Sequence, residues 1–344
     1  RYRETRGRAL DLGKHPALPR LLGSSDFLAR LLLRHPHWSE ELAGDPPDAL
    51  DDGAIEADWT AIRIAKYKGL LRVAARDVAG RPFEQSLGEL SRLADRCLAA
   101  ALAAAELETD IAPPALFALG KLGGAELNFS SDVDLLFLYE SSSDAPDLER
   151  HAAVARLVQT FKKHLEVPSE DGFGYRVDLE LRPEGRAGVL VNPVDAALSY
   201  YETFGADWER QMLIRLRHVC GPRVPAEAFE RGIRPFVWRR SVGPEAIRGV
   251  RAMKQRIENE RLEAGRDLEA DLKEGPGGIR DVEFLVQAFQ LFFGGRQASL
   301  RTGNVLEGLE ALCRLGLLAR PITDALRHAY LWLRRAEHCV QMVD

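Results

Sequence analysis

The sequence predicts an α+β protein in which a small mixed sheet sits between N-terminal helices and a C-terminal helical bundle. Three observations predict it. Up to about residue 110, apolar side chains recur at helical spacing; from 111 to 200, short β-prone runs interleave with one helix; from about Tyr200 the helical period returns. The chain divides accordingly into a helical region 1–110, a core 111–200 and a helical bundle 201–344.

In the first region Ser24 and Asp26 precede the periodic run Phe27 to Leu33, which His35-Pro36 ends. Ser86 to Glu89 has the spacing of a capping box and would open the alanine- and leucine-rich helix ending near Leu107. The segment Asp45 to Gly53, with two prolines and four aspartates, reads as a loop. Pro113-Pro114 marks the break into the core. There Ala115 to Leu119 is a short apolar run ending at a glycine-rich turn, Val133 to Tyr139 is apolar and β-prone, Leu148 to Glu166 is helical, and Tyr175 to Leu181 alternates with period two. Beyond it, Ile247, Val250, Met253 and Ile257 form one helical stripe. Ile279 to Phe293, Val305 to Leu318 and Leu326 to Val340 read as bundle helices, with Phe284, Phe289, Phe292 and Phe293 in their core.

Composition narrows the function. Hydrophobic residues are 46% and charged residues 29% of the 344, as in ordinary globular proteins. A net charge of -5 and a pI near 6.0 disfavour nucleic acid as the main partner, because such binders draw much of their affinity from phosphate neutralisation. The four cysteines form no CxxC pair, so reduced thiols in a cytoplasmic protein are the expectation. No apolar run reaches the ~18 residues of a membrane span. Because the chain opens on Arg1 and stops at Asp344 within a helical pattern, it is expected to be a fragment of a longer polypeptide.

The chemistry concentrates in Gly120 to Glu140. Gly120, Gly123 and Gly124 let backbone approach a phosphate closely, and Lys121 adds a mobile positive charge, unless it is only a solvated turn lysine. Ser131-Asp132-Val133-Asp134 then enters an apolar strand; residues two apart share a strand face, their Cα atoms ~7 Å apart. Two carboxylates so placed suit hard divalent ions, and a pair of such ions stabilises both oxygens of an in-line displacement at phosphorus. Asp178, about 44 residues later on the alternating run, supplies the third carboxylate. Arg182 and Arg186 flank the following turn and are placed to meet phosphate oxygens. Ser131 either contacts phosphate or caps the strand start.

The order of glycine turn, Ser-Asp-x-Asp and later Asp resembles the DNA polymerase β-like nucleotidyltransferase superfamily. Four longer strings, Gly120 to Phe137, Tyr175 to Val191, Tyr200 to Gly221 and Asp271 to Arg296, resemble the bifunctional glutamine synthetase adenylyltransferase/adenylyl-removing enzymes, as does Ser25 to Trp38. Asn128 to Ser131, Asp207 to Arg210 and Gly277 to Arg280 have the forms of that family's N-terminal, adenylyl-removing half. The resemblance implies a nucleotidyltransferase core and phosphorolysis of adenylyl-tyrosine on glutamine synthetase, giving ADP, with Mg²⁺ or Mn²⁺ held by Asp132, Asp134 and Asp178. It further implies the PII signal protein as effector and a covalently linked adenylylating half. Where this chain has Glu180 the family usually has Arg, so Glu180 either weakens nucleotide contact or adds a ligand.

Several charged residues admit a purely structural role. Glu209 with Arg210 reads as a structural ion pair on a helix, with nucleotide contact the alternative. Arg280 with Glu283, at i and i+3, can pair on one helix face, although that helix start also suits an anion. Arg248, Arg251, Lys254 and Arg256 read as a solvated face, and the scattered histidines have no metal-ligand spacing. Two rival functions stay open: ATP-dependent adenylylation of glutamine synthetase, and a regulatory binding module with a vestigial site. The complete aspartate trio argues against the second.

Overall fold

The computed structural model describes residues 17–42, 53–141, 148–170, 172–240 and 271–343, with residue 48 and scattered residues between 248 and 265. The predicted loop 45–53 lies almost wholly outside the described residues, and the stripe Ile247, Val250, Met253 and Ile257 lies entirely outside them.

The N-terminal region is helical: α1 (Leu18–Ser24), α2 (Asp26–Arg34), a 3₁₀ turn (Pro36–Leu42), α3 (Trp59–Val78) and α4 (Phe83–Thr109). Ser25 caps α2 by accepting from Leu28 N, and Asp58 caps α3 by accepting from Ala61 N. The expected capping box is not one. Pro82 starts α4 earlier, so Ser86 and Glu89 lie inside the helix and buried; Glu89 accepts from Arg76 and Arg81, and Ser86 donates to Asp77. Charged neighbours on α3 and at the α3–α4 turn claim these side chains before a helix terminus can.

Among the described residues five strands form a mixed sheet: β1 (Ala115–Ala118), β2 (Val133–Tyr139), β3 (Val177–Asp178), β4 (Asn192–Pro193) and β5 (Arg217–Cys220), in the order β3-β2-β1-β5 with β4 also on β2. β1 runs antiparallel to β2 and β5, whereas β3 and β4 run parallel to β2. The alternation over Tyr175 to Leu181 shrinks to the two residues of β3, because this edge segment has only β2 to pair with before the chain turns. β5 is a strand inside the stretch read as helical; four residues are too few to show a period.

β1 is buried throughout and β2 everywhere except at Asp134, so the sheet is covered on both faces. Val133, Leu135 and Phe137 face a core shared with α3, α4 and α6 (Leu148–Glu166), following the four-residue α5 (Gly120–Gly123). Leu136 and Leu138 face the other core, with α7 (Val194–Thr203), α8 (Asp207–Leu213) and α9 (Arg223–Val237). Each fully buried Leu or Phe contributes about 1.5–3 kcal/mol. By alternation Asp134 lies on the face of Leu136 and Leu138. The last helices, α10 (Ile279–Phe293), α11 (Val305–Arg314) and α12 (Arg320–Val343), share a third core to which Phe289 and Phe293 add partly buried rings. Among the described residues no helix is long and apolar enough to cross a membrane, and all four cysteines are free thiols.

Candidate active site

β1 delivers the chain to Leu119, whose amide donates to Asp134 O at 2.9 Å, and the backbone turns sharply at Gly120 with φ +52°. A Cβ at Gly120 would lie 2.0 Å from Asp134 Oδ2, so the glycine makes room for the carboxylate. Gly123 and Gly124 answer a different need. A Cβ at Gly123 would lie 1.9 Å from Arg215 O, and one at Gly124 2.7 Å from Gly303 O. Both glycines let other backbone segments cross close to the turn.

The parallel register places Asp134 directly beside Asp178 and Val133 beside Val177. Burial first, then the neighbouring Asp178, push the Asp134 carboxyl up to about 6; Asp132 adds to this, while Lys273 and Lys121 oppose it. Glu180 N donates to Asp178 Oδ1 at 2.7 Å, and the Glu180 carboxylate itself pairs with Arg186 at 2.5 Å. Asp132 precedes the strand and is ion-paired with Arg176 Nε. From α6, Lys162 donates to Val177 O and Glu166 accepts from Val177 N, closing the edge that no further strand among the described residues covers. A groove of about 420 Å³ runs along this edge, its walls including Asp132, Asp178, Lys162, Arg176, Arg182 and Arg186.

The remaining predicted residues are placed as follows. Lys121 Nζ donates to Glu337 on α12 at 2.6 Å; burial, then the nearby Arg334, lower the lysine to about 8, against the pull of Glu337. Ser131 Oγ is buried with no hydrogen-bond partner among the described residues. Arg182 spends its guanidinium on the carbonyls of Leu179, Arg186, Gly188 and Val189, at 2.7–3.3 Å, and thereby ties the turn together. The two predicted helix pairs are not formed. Arg210 bonds Asp207 and Phe236 O while Glu209 accepts from Tyr200 and Ala206; Arg280 pairs with Glu274, and Glu283 with Arg215. Lys254, expected on a solvated face, pairs with Asp281.

Sequence reasoning missed Arg176, Lys273 and Glu337. Arg176 and Lys273 lay in motif strings without a spacing of their own to single them out. Glu337 comes from 216 residues beyond Lys121, and no local pattern signals it. Chemically, the trio offers only oxygen donors and excess negative charge beside two lysines, which fits a hard divalent cation. Among the described residues, however, no three His, Cys, Asp or Glu side chains converge on one ion position, and Asp132 is engaged by Arg176 instead.

A glycine turn leading into paired aspartates on a small mixed sheet is the arrangement that the sequence resemblance implies for a nucleotidyltransferase core. The family model for glutamate-ammonia ligase adenylyltransferase matches residues 16–232, and that for GlnD PII-uridylyltransferase matches residues 251–344. Curated relatives named bifunctional glutamine synthetase adenylyltransferase/adenylyl-removing enzyme include those of Stenotrophomonas maltophilia (40% identical over 95% of this chain), Xanthomonas campestris pv. campestris (39% over 96%) and Thioalkalivibrio sulfidiphilus (36% over 95%). The chain belongs to the glutamate-ammonia ligase adenylyltransferase family. It spans 37% of the length of these relatives.

Proposed function

We propose that this chain removes AMP from adenylylated glutamine synthetase by phosphorolysis, giving ADP and the free tyrosine, in the cytoplasm. The observation that carries the proposal is the side-by-side pair Asp134 and Asp178 with Asp132 just ahead of it. The names of the relatives supply glutamine synthetase as the protein acted on and include both adenylyl transfer and removal. The forms Asn128 to Ser131, Asp207 to Arg210 and Gly277 to Arg280 favour removal. The PII signal protein is the proposed effector, and an adenylylating half the proposed companion in the longer protein.

In the reaction, an oxygen of inorganic phosphate forms a bond to the α-phosphorus as the bond from that phosphorus to the tyrosine oxygen breaks. The electron pair leaves with the phenolate, which takes a proton from water. Phosphate is already an anion, so no strong protein base is required. Asp132, Asp134 and Asp178 would be the residues to hold Mg²⁺ or Mn²⁺, which when bound would supply positive charge favouring departure of the phenolate, whose reference pKa is ~10. Lys273 and Lys121 lend further positive potential beside Asp134.

Incubating the chain with adenylylated glutamine synthetase, phosphate and Mg²⁺ is expected to release ADP. Asp132→Asn and Asp134→Asn should each abolish that release in a folded protein. Pyrophosphate from ATP and unmodified glutamine synthetase, with no ADP release, would establish the opposite reaction instead.

A further inference from the structure

Asp132 and Arg176 form an ion pair whose side chains are about half exposed, 56% and 50%, in the wall of the groove beside Asp178. The guanidinium also donates to Ser130 O at 2.7 Å, so it clasps the segment entering β2 from the segment entering β3. Arg176 is oriented from behind. Its guanidinium lies 5.9 Å from the Phe173 ring; Phe173 N donates to Tyr67 OH at 3.1 Å, and Phe173 O accepts from the buried Lys66 at 3.3 Å. Gly172, at φ +87°, is required there, since a Cβ would strike the Tyr67 hydroxyl at 2.4 Å. Helix α3 therefore sets the register of the segment carrying both Arg176 and Asp178.

Two other cations near the trio are differently employed. Arg182 is consumed by backbone carbonyls and Lys121 is bound to Glu337. Arg176 alone among the described residues is hydrogen-bonded to a member of the trio through its side chain and faces the groove. An ion pair this exposed is worth little, so a stronger competitor for the carboxylate displaces it readily. The guanidinium fork, once released, matches two phosphate oxygens.

We propose that Arg176 is the countercharge of Asp132 in the metal-free protein, that a divalent cation takes its place there, and that the released guanidinium then binds the attacking phosphate. The exchange assembles the metal site and the phosphate site in one movement. It rests on the reading of Asp132 as a metal ligand.

The test is a Mn²⁺ titration of the intact chain, following free Mn²⁺ by electron paramagnetic resonance, for the natural sequence, Arg176→Gln and Arg176→Lys. Removing the competing charge should tighten Mn²⁺ binding by about threefold to tenfold in Arg176→Gln, with Arg176→Lys in between. In the ADP-release assay the KM for inorganic phosphate should rise about tenfold in both variants, since lysine lacks the fork. Mn²⁺ affinity unchanged or weakened in both variants overturns the exchange, and tightened Mn²⁺ with an unmoved phosphate KM overturns the phosphate role. Should Arg176→Gln fail to fold, Arg176→Lys carries the same comparison. If the natural sequence takes up no Mn²⁺, the metal-site reading itself falls, and this proposal with it.

Discussion

The seam between α12 and the glycine turn and the outer edge of β3 are built from the same materials, arginines facing carboxylates, but at opposite extremes of burial. At the seam Arg334 has no exposed surface; it donates to Tyr330 OH, Glu126 O and Asn128 Oδ1. Arg215, also buried, reaches Glu126 and Glu283. Burial pushes Glu126 upward, whereas Glu283, although burial acts the same way on it, is held below the usual carboxylate range by Arg215 and Arg334. At the β3 edge the corresponding pairs, Arg176 with Asp132 and Arg186 with Glu180, have side chains about half exposed or more. The difference separates two tasks. Buried charges cost several kcal/mol of desolvation each and persist only in one satisfied geometry, so they fix the shape of the turn. Exposed pairs bind weakly and stay exchangeable, which suits a surface proposed to receive an anion and a cation.

The largest expected effect comes from breaking the seam. Arg334→Met should lower the unfolding free energy by about 3–5 kcal/mol in urea titration, because it leaves the Glu126 carbonyl and Asn128 Oδ1 without their shared donor and Glu337 without one of its ion-pair partners. A loss below about 1 kcal/mol would place the seam in the same class as the exposed edge.

Asp134 lies between the extremes and gives an effect of opposite sign. Its carboxyl titrates at about 6 in the fold against 3.8 in the unfolded chain, so the ionised form is disfavoured by folding. That penalty is full above pH 6 and fades as the pH falls from 6 towards 4. Asp134→Asn should therefore raise the stability of the metal-free protein by on the order of 2 kcal/mol at pH 7.5 while abolishing turnover. The gain should disappear near pH 4. Thermal unfolding at both pH values reads the difference, and equal gains at both would sink the account.

The smallest effect belongs to the exposed pair. Glu180→Gln removes the partner of Arg186 and should change stability by less than about 0.5 kcal/mol. It should also leave Mn²⁺ affinity unaltered, because the carboxylate is directed to Arg186 rather than to the trio. Weaker Mn²⁺ binding in this variant would make Glu180 a metal ligand after all.

Much of the fold was legible in the sequence because it rests on local periodicity. Val133 to Tyr139, Leu148 to Glu166 and Ile279 to Phe293 begin and end where their apolar patterns do. Errors arose where a distant partner outbid a local one. Ser86 and Glu89 look like a helix start but serve Asp77, Arg76 and Arg81. Arg280 and Glu283 are spaced for each other yet pair elsewhere. β5 became a strand because β1 offered a free edge, which four residues cannot announce.

For the site, the sequence by itself determined the chemical inventory: the glycine turn, Asp132 and Asp134 two apart at a strand start, and Asp178 downstream. Helical and strand periods are local properties, and they carry these placements. Only the tertiary structure decided that Asp134 stands beside Asp178, that Gly120 yields its Cβ volume to Asp134, and that Arg182 serves carbonyls while Arg176 holds a carboxylate. The physical reason is that charge pairing and desolvation depend on distances through space. A residue 216 positions away, as Glu337 is from Lys121, acts on a site as strongly as its sequence neighbours do.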